Sequence, residues 1–225
     1  MEEWLAEKII DEVATTNPKT RFWFCYFGEP TISKQLWKRI RLAKTKGIET
    51  TIINSNGNLL GPAMAEQLVD SGLDELYVGL DAATADTYAR VRVRGHYDTV
   101  VTNIQHLLRI KPDRLKLTVQ FGVYEENEHE LEQFKSFWAD QGVAIFIRPK
   151  LTWIGKLPEH FHTQEGRYPC AWIFDSLPIY FNGLVPYCIC DWDNRLPSGD
   201  IKTQSIAEVW QTWRGSEPAA GRSPW

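Results

Sequence analysis

Cys170, Gly183 and Cys188 stand in the order Cys-x12-Gly-x4-Cys, two thiols framing a glycine turn. In a soluble chain this arrangement suits a metal or an iron–sulfur cluster better than a structural crosslink. Two ligands do not complete such a site, and buried structural thiols remain the alternative. Cys190 is the next candidate, although alternation along a strand would turn it to the face opposite Cys188. Cys25, set among aromatic residues in the run Arg21 to Phe27, reads as a mid-strand core thiol. His160 and His162 lie in a loop without an acidic or thiol companion, which makes them poor metal ligands.

Composition narrows the setting of that chemistry. The 225 residues carry a formal net charge of -4 and are 43% hydrophobic, enough for one main domain with a small appendage. The acidic balance gives no general attraction to nucleic acid or to an anionic membrane. The basic run from Lys38 to Lys46 reads as the wet face of an outer helix. No run approaches the roughly 18 apolar residues of a membrane span, and Met1-Glu2-Glu3-Trp4 is acidic where a secretory signal is basic. A cytoplasmic, reducing setting is expected, in which the four cysteines are poor candidates for disulfides.

The elements that must position these residues alternate regularly. Arg21 to Phe27 is a continuous apolar run that predicts a buried parallel strand. A helix over Ile32, Leu36, Ile40 and Ala43 follows, with Ser33 as its cap and Gly47 as its stop. Glu49 to Asn54 predicts a strand, the stretch around Met64, Leu68 and Val69 a helix ending at Gly72, and Asp74 to Leu80 a strand. Thr84 starts the next helix, an Arg-rich turn runs from Arg90 to Tyr97, and a further helix ends before Pro112. In the strand Leu115 to Tyr124, the odd-numbered apolar residues share one face and leave Thr118 and Gln120 on the other. Glu130 to Gln141 predicts a helix and Val143 to Arg148 the last strand of the series.

Five such alternations define an α/β protein with a parallel sheet, either doubly wound or of TIM-barrel type. Polar residues cluster where the strands finish: Gly28 and Glu29, then Asn54 to Asn56, Asp81, Gln120 and Arg148. Convergence of such tips at a C-terminal mouth favours a partial (β/α) barrel that lacks its first strand, with the helix from Met1 to Ala14 following that strand. The barrel is expected over residues 1–150, a C-terminal extension over 151–214 and a disordered tail over 215–225. In the extension, Leu177 to Phe181 and Leu184 to Ile189 are expected to pair as a hairpin about Asn182-Gly183, followed by a helix from Ser205 to Trp213.

Gly28-Glu29-Pro30-Thr31, Asn54-Ser55-Asn56-Gly57, Gly79-Leu80-Asp81 with Tyr88, Arg92, Gly95, Tyr97, Asn103 and Ile104, and finally Cys170, Gly183, Cys188 and Asp191 together resemble the radical SAM enzymes that carry a SPASM or twitch extension. The resemblance covers about Arg21 to Trp213. It implies S-adenosylmethionine (SAM) at the barrel mouth, with Gly28, Glu29 and Pro30 receiving its amino group. Ser55 and Asn56 would face its methionine or ribose part, Asp81 its ribose hydroxyls and Arg92 its carboxylate, while Gln120 and Arg148 contact SAM or substrate. It further implies an auxiliary iron–sulfur cluster on Cys170 and Cys188, with Cys190 as the weaker ligand. As isolated residues, Gly28 to Pro30, Ser55, Asn56 and Asp81 are also ordinary turn formers, and Arg92 belongs equally to a solvated loop.

The Cys-x3-Cys-x2-Cys loop that holds the SAM-cleaving [4Fe-4S] cluster in this family does not occur in the sequence and is expected before Met1. The chain is therefore expected to be a fragment or a degenerate member. The activity implied is oxidoreductase-type: reductive cleavage of SAM and removal of a hydrogen atom from a peptide or small-molecule substrate, with flavodoxin or ferredoxin as electron donor. The alternative is a non-catalytic barrel that binds a peptide or nucleoside ligand.

Overall fold

The computed structural model describes residues 1–149 and 172–215. Cys170, His160, His162 and the expected tail beyond residue 215 lie outside the described residues. The chain divides into two compact units, residues 17–151 and residues 1–16 with 152–225.

The larger unit holds five parallel strands, β1 (Arg21–Trp23), β2 (Thr50–Ser55), β3 (Glu75–Gly79), β4 (Lys116–Gly122) and β5 (Ala144–Arg148), in sheet order β1-β2-β3-β4-β5. Between them run α2 (Leu36–Thr45), α3 (Pro62–Ser71), α4 (Ala85–Val91), α5 (Tyr97–Ile110) and α6 (Leu131–Ala139). Each crossover advances one strand in the same direction, so right-handed connections place the helices on one face. That is the winding of a barrel; a doubly wound sheet would reverse its strand order midway.

One core joins this helical layer to the sheet. Ile53, Leu76, Val78, Leu117, Val119 and Phe121 enter it from the strands, and Ile40, Leu68, Ile104, Phe134 and Trp138 from the helices. Glu75, Tyr77, Gly79, Thr118 and Gln120 alternate to the opposite, inner face, as the period-two pattern requires.

The inner face is concave. Next-nearest strands in a flat sheet lie roughly 9.5 Å apart. Yet Arg21 of β1 holds Glu75 of β3 at 2.7 and 3.1 Å. The rings of Trp23 and Tyr77 stack at 5.6 Å, also across β2. Asn54 of β2 reaches Gln120 of β4 at 3.2 Å, across β3. Side chains of alternate strands thus meet in layers, the packing that fills a (β/α) barrel.

Several sequence expectations are corrected here. Among the described residues β1 is a three-residue edge strand flanked by β2 alone, with Trp23 43% exposed; the apolar run Arg21 to Phe27 does not fill a buried strand. Ser33 ends a short helical turn, Pro30–Ile32, and α2 starts only at Leu36 after Gln35, which makes no side-chain cap. Gly47 and Gly72, by contrast, take the left-handed conformation expected of helix stops, with φ of 95° and 88°.

In the smaller unit, α1 (Glu3–Thr16) lies with α7 (Trp172–Asp175), β6 (Leu184–Pro186), β7 (Pro197–Asp200) and α8 (Ile206–Gly215). Lys8 bonds the Gln204 carbonyl at 2.8 Å, and Glu12 accepts the Ile206 amide at 2.6 Å. Ser205 and Glu208 form a reciprocal capping box at the start of α8, each accepting the other's amide. The Asn182-Gly183 turn forms, with Gly183 at φ 91° and its amide on the Tyr180 carbonyl. The hairpin differs from expectation: residues 177–181 form no strand, and β6 pairs antiparallel with β7.

Candidate functional site

The strand ends converge through their side chains. After β1, Gly28 adopts φ 85° with open space where a Cβ would lie, so backbone conformation rather than crowding demands glycine. This bend sets Glu29 against the end of β2. Its Oε1 accepts from the Thr31 amide at 3.1 Å, the Thr31 hydroxyl at 2.5 Å and the Ser55 hydroxyl at 2.7 Å. Among the described residues its Oε2 accepts only the Asn56 amide, at 2.7 Å, and so keeps capacity for one more donor.

Ser55 is 3% exposed and turned toward Glu29 and the Gly57 amide, a placement that supports the turn rather than presenting its hydroxyl. Asn56 is half-buried and lines an open cleft of about 380 Å³ with Asn58, Tyr88 and Val91 to Gly95. Gln120 is buried and bonded to Asn54.

Asp81 follows β3 with φ 56° and is 1% exposed. Its Oδ1 accepts the Gly122 amide and its Oδ2 the Arg92 guanidinium, both at 2.5 Å, with Arg148 Nη2 at 3.6 Å. The ends of β3, β4 and β5 therefore meet at one carboxylate.

Sequence reasoning missed Asn127, which is 0% exposed and donates to the carbonyls of Asp81 and Gly122 at 2.8 Å each. It also missed Glu130, which accepts both the Ala83 and Thr84 amides and so fixes the turn between Asp81 and α4. Burial raises the Glu130 carboxyl, but the bonds from Thr84, Thr87 and Ala83 outweigh it and hold the group below its ordinary range. Both residues sit in an acidic run, Glu125 to Glu130, whose only sequence signal is that it follows a strand end.

Cys25 lies beyond the end of β1 rather than mid-strand, and its Sγ accepts the Asn54 amide at 3.1 Å. Burial pushes this thiol up to about 11, which leaves it protonated and inert at neutral pH.

In the smaller unit, Cys188 and Cys190 occupy a turn after β6, so strand alternation does not set them on opposite faces. The Cys190 amide donates to Cys188 Sγ at 3.4 Å. Asp191 closes the loop, accepting the Arg195 and Leu196 amides at 3.0 and 2.9 Å. Among the described residues no group of three or more His, Cys, Asp or Glu is placed to hold a metal.

A parallel, singly wound, concave sheet with a polar C-terminal rim defines a (β/α)-barrel protein of the cofactor-binding kind. Comparison with known proteins gives the family: the model of the radical SAM superfamily matches residues 2–137, and that of the SPASM iron-sulfur cluster-binding domain matches residues 170–217. The chain belongs to the radical SAM superfamily. SAM and an iron–sulfur cluster are the cofactors that these two matches carry.

The chain is 30% identical over 192 residues to a GTP 3',8-cyclase of Heliobacterium modesticaldum, covering 69% of this chain and 58% of that protein. It is 26% identical over 210 residues to the tungsten-containing aldehyde ferredoxin oxidoreductase cofactor-modifying protein of Pyrococcus furiosus, covering 89% of this chain and 55% of the relative. It thus spans little more than half the length of these curated relatives. Among solved structures, BtrN in complex with AdoMet and 2-DOIA shares the fold, with a TM-score of 0.60, 15% identity, and 96% of this chain and 72% of that chain covered. No helix among the described residues is long and apolar enough to cross a membrane.

The rim fits SAM: a carboxylate with spare acceptor capacity suits an ammonium, two guanidiniums suit a carboxylate, and side-chain amides suit hydroxyls and a base edge. For an iron–sulfur cluster, Cys188 and Cys190 are the described thiols on a loop tied by Asp191.

Proposed function

We propose that this chain is a radical SAM/SPASM-type oxidoreductase, or the portion of one that carries the SAM rim and the auxiliary cluster. It acts in the cytoplasm on a peptide or small-molecule substrate, with a flavodoxin or ferredoxin as electron donor. The observation that carries the reading is the linked set of polar groups at the ends of all five strands, from Glu29 with Ser55 and Asn56 to Asp81 with Arg92 and Arg148. When bound, SAM with a reduced iron–sulfur cluster supplies one-electron chemistry that removes a hydrogen atom from substrate.

The chain's own residues bind and orient. Glu29 Oε2 takes the SAM ammonium beside the Gly28 backbone, while Pro30 fixes the turn that presents it. Arg92 and Arg148 face the SAM carboxylate, and Asn56 and Gln120 the ribose or adenine. Cys170, Cys188 and Cys190 ligate the auxiliary cluster. The relatives include a cyclase and a cofactor-modifying protein, so the oxidoreductase class is our proposal for this chain and is not taken from them.

Equilibrium dialysis of the chain against SAM tests the reading. Wild type is expected to bind, and Glu29→Ala to bind at least roughly 10-fold more weakly, since a charge-assisted bond to an ammonium is lost. Equal binding by both would contradict it. The rival reading is a non-catalytic barrel that binds a peptide or nucleoside ligand. A Cys-x3-Cys-x2-Cys segment encoded upstream of Met1 supports the enzyme, and its absence there supports the binder.

A further inference from the structure

Asp81 was expected from sequence to face ribose hydroxyls, but its surroundings leave it no such freedom. Its side chain is 2% exposed, which closes it to a ligand hydroxyl, and its oxygens face inward to the Gly122 amide and to Arg92, with Arg148 beside them. Its backbone is held in the left-handed region, and Asn127 anchors its carbonyl.

Two glycines make room for the two guanidiniums. A Cβ at Gly79 would sit 2.6 Å from Arg92 Nη2, and one at Gly122 would sit 3.2 Å from Arg148 Cζ. Neighbouring strands thus each omit a side chain where an arginine passes over them. Arg92 spends one nitrogen on Asp81, and the Arg148 guanidinium donates no hydrogen bond to any described residue. Two cations against one buried anion leave one net positive charge, with unused N–H forks, suited to a monoanionic carboxylate.

We infer that Asp81 is a positioning residue: it touches no ligand, and instead aims Arg92 and Arg148 as a paired receptor for the carboxylate of SAM. Removing its charge releases both guanidiniums. This rests on the SAM reading given above.

The test is isothermal titration of wild type, Asp81→Asn, Arg92→Gln and Arg148→Gln with SAM and with decarboxylated SAM, which keeps the ammonium and the nucleoside. Asn tolerates the left-handed backbone and can keep the Gly122 bond, so Asp81→Asn preserves the turn while placing an amide donor against Arg92. Wild type is expected to prefer SAM by about 10-fold or more, the range of a charge-assisted pair. Asp81→Asn is expected to reduce that preference to about 3-fold or less, with decarboxylated SAM bound as before, and each arginine variant to do the same.

Equal weakening of both ligands in Asp81→Asn would overturn the inference in favour of a ribose contact. An unchanged preference with a lowered melting temperature would overturn it in favour of a purely structural role. If Asp81→Asn fails to fold, an unchanged preference in both arginine variants overturns it, and a lost preference in both supports it. Wild type that binds neither ligand removes the SAM reading itself, and the inference with it.

Discussion

Asn54 and Gln120 share a hydrogen bond of 3.2 Å although β3 lies between their strands. Gly79, the β3 residue paired with Gln120, has no side chain to obstruct them. With Trp23 on Tyr77 and Arg21 on Glu75, this bond shows the sheet curling toward the face that carries the rim. Curvature is what turns a row of strand ends into one site.

Gly79→Ala is expected to separate binding from stability. The added Cβ collides with the flexible end of Arg92, so the fold loses only about 1 kcal/mol while the guanidinium moves. Urea denaturation alongside SAM titration checks this: a near-unchanged midpoint with several-fold weaker SAM binding is expected.

Gly57→Ala is expected to do the opposite. Gly57 has φ 80°, and a Cβ there would lie 2.6 Å from Val100 and 2.9 Å from Val78, both buried. Strain and overpacking together cost roughly 3 kcal/mol, readable as a lowered urea midpoint.

Acid should weaken the sheet before it affects the helices' own packing. Burial raises the Glu75 carboxyl, but Arg21, Tyr77 and Lys116 outweigh it, so its pKa is lowered on folding, as is that of Glu130. A carboxylate depressed on folding contributes stability above its unfolded value, about 4.3, and that contribution is lost as pH falls through the folded value. Stability is expected to hold from pH 7 to about 5 and to decline below about 4. Glu75→Gln should lower the plateau by about 1 kcal/mol and flatten the acid limb in thermal melts.

Thiol reactivity is expected to divide the cysteines. With its thiol pushed up to about 11, Cys25 should react with iodoacetamide at pH 7.5 roughly 100-fold more slowly than free cysteine, and accelerate as pH approaches 11. Peptide mapping after timed alkylation reads this directly. Labelling of Cys25 at the free-cysteine rate would show that the burial described for it is wrong.

Much of the larger unit was legible because buried faces obey simple periods. Leu117, Val119 and Phe121 against Thr118 and Gln120 gave β4 and its two faces, and Gly47 and Gly72 gave the ends of α2 and α3. β1 misled because the apolar run Arg21 to Phe27 also serves an exposed edge and the bend at Gly28. The hairpin misled because Asn182-Gly183 does form a turn, while the partner of β6 lies beyond the cysteine loop. The roles of Asp81, Asn127 and Glu130 were not legible, since they depend on which backbone amides and guanidiniums surround each group rather than on local pattern.

Hydrogen exchange of the chain with and without SAM tests most directly whether the curved rim is the SAM site. Slower exchange is expected in peptides spanning Gly28–Thr31, residues 55–58 and residues 120–122, with α8 unchanged. Binding without protection at those strand ends, or protection confined to α8 and the β6–β7 hairpin, would contradict it.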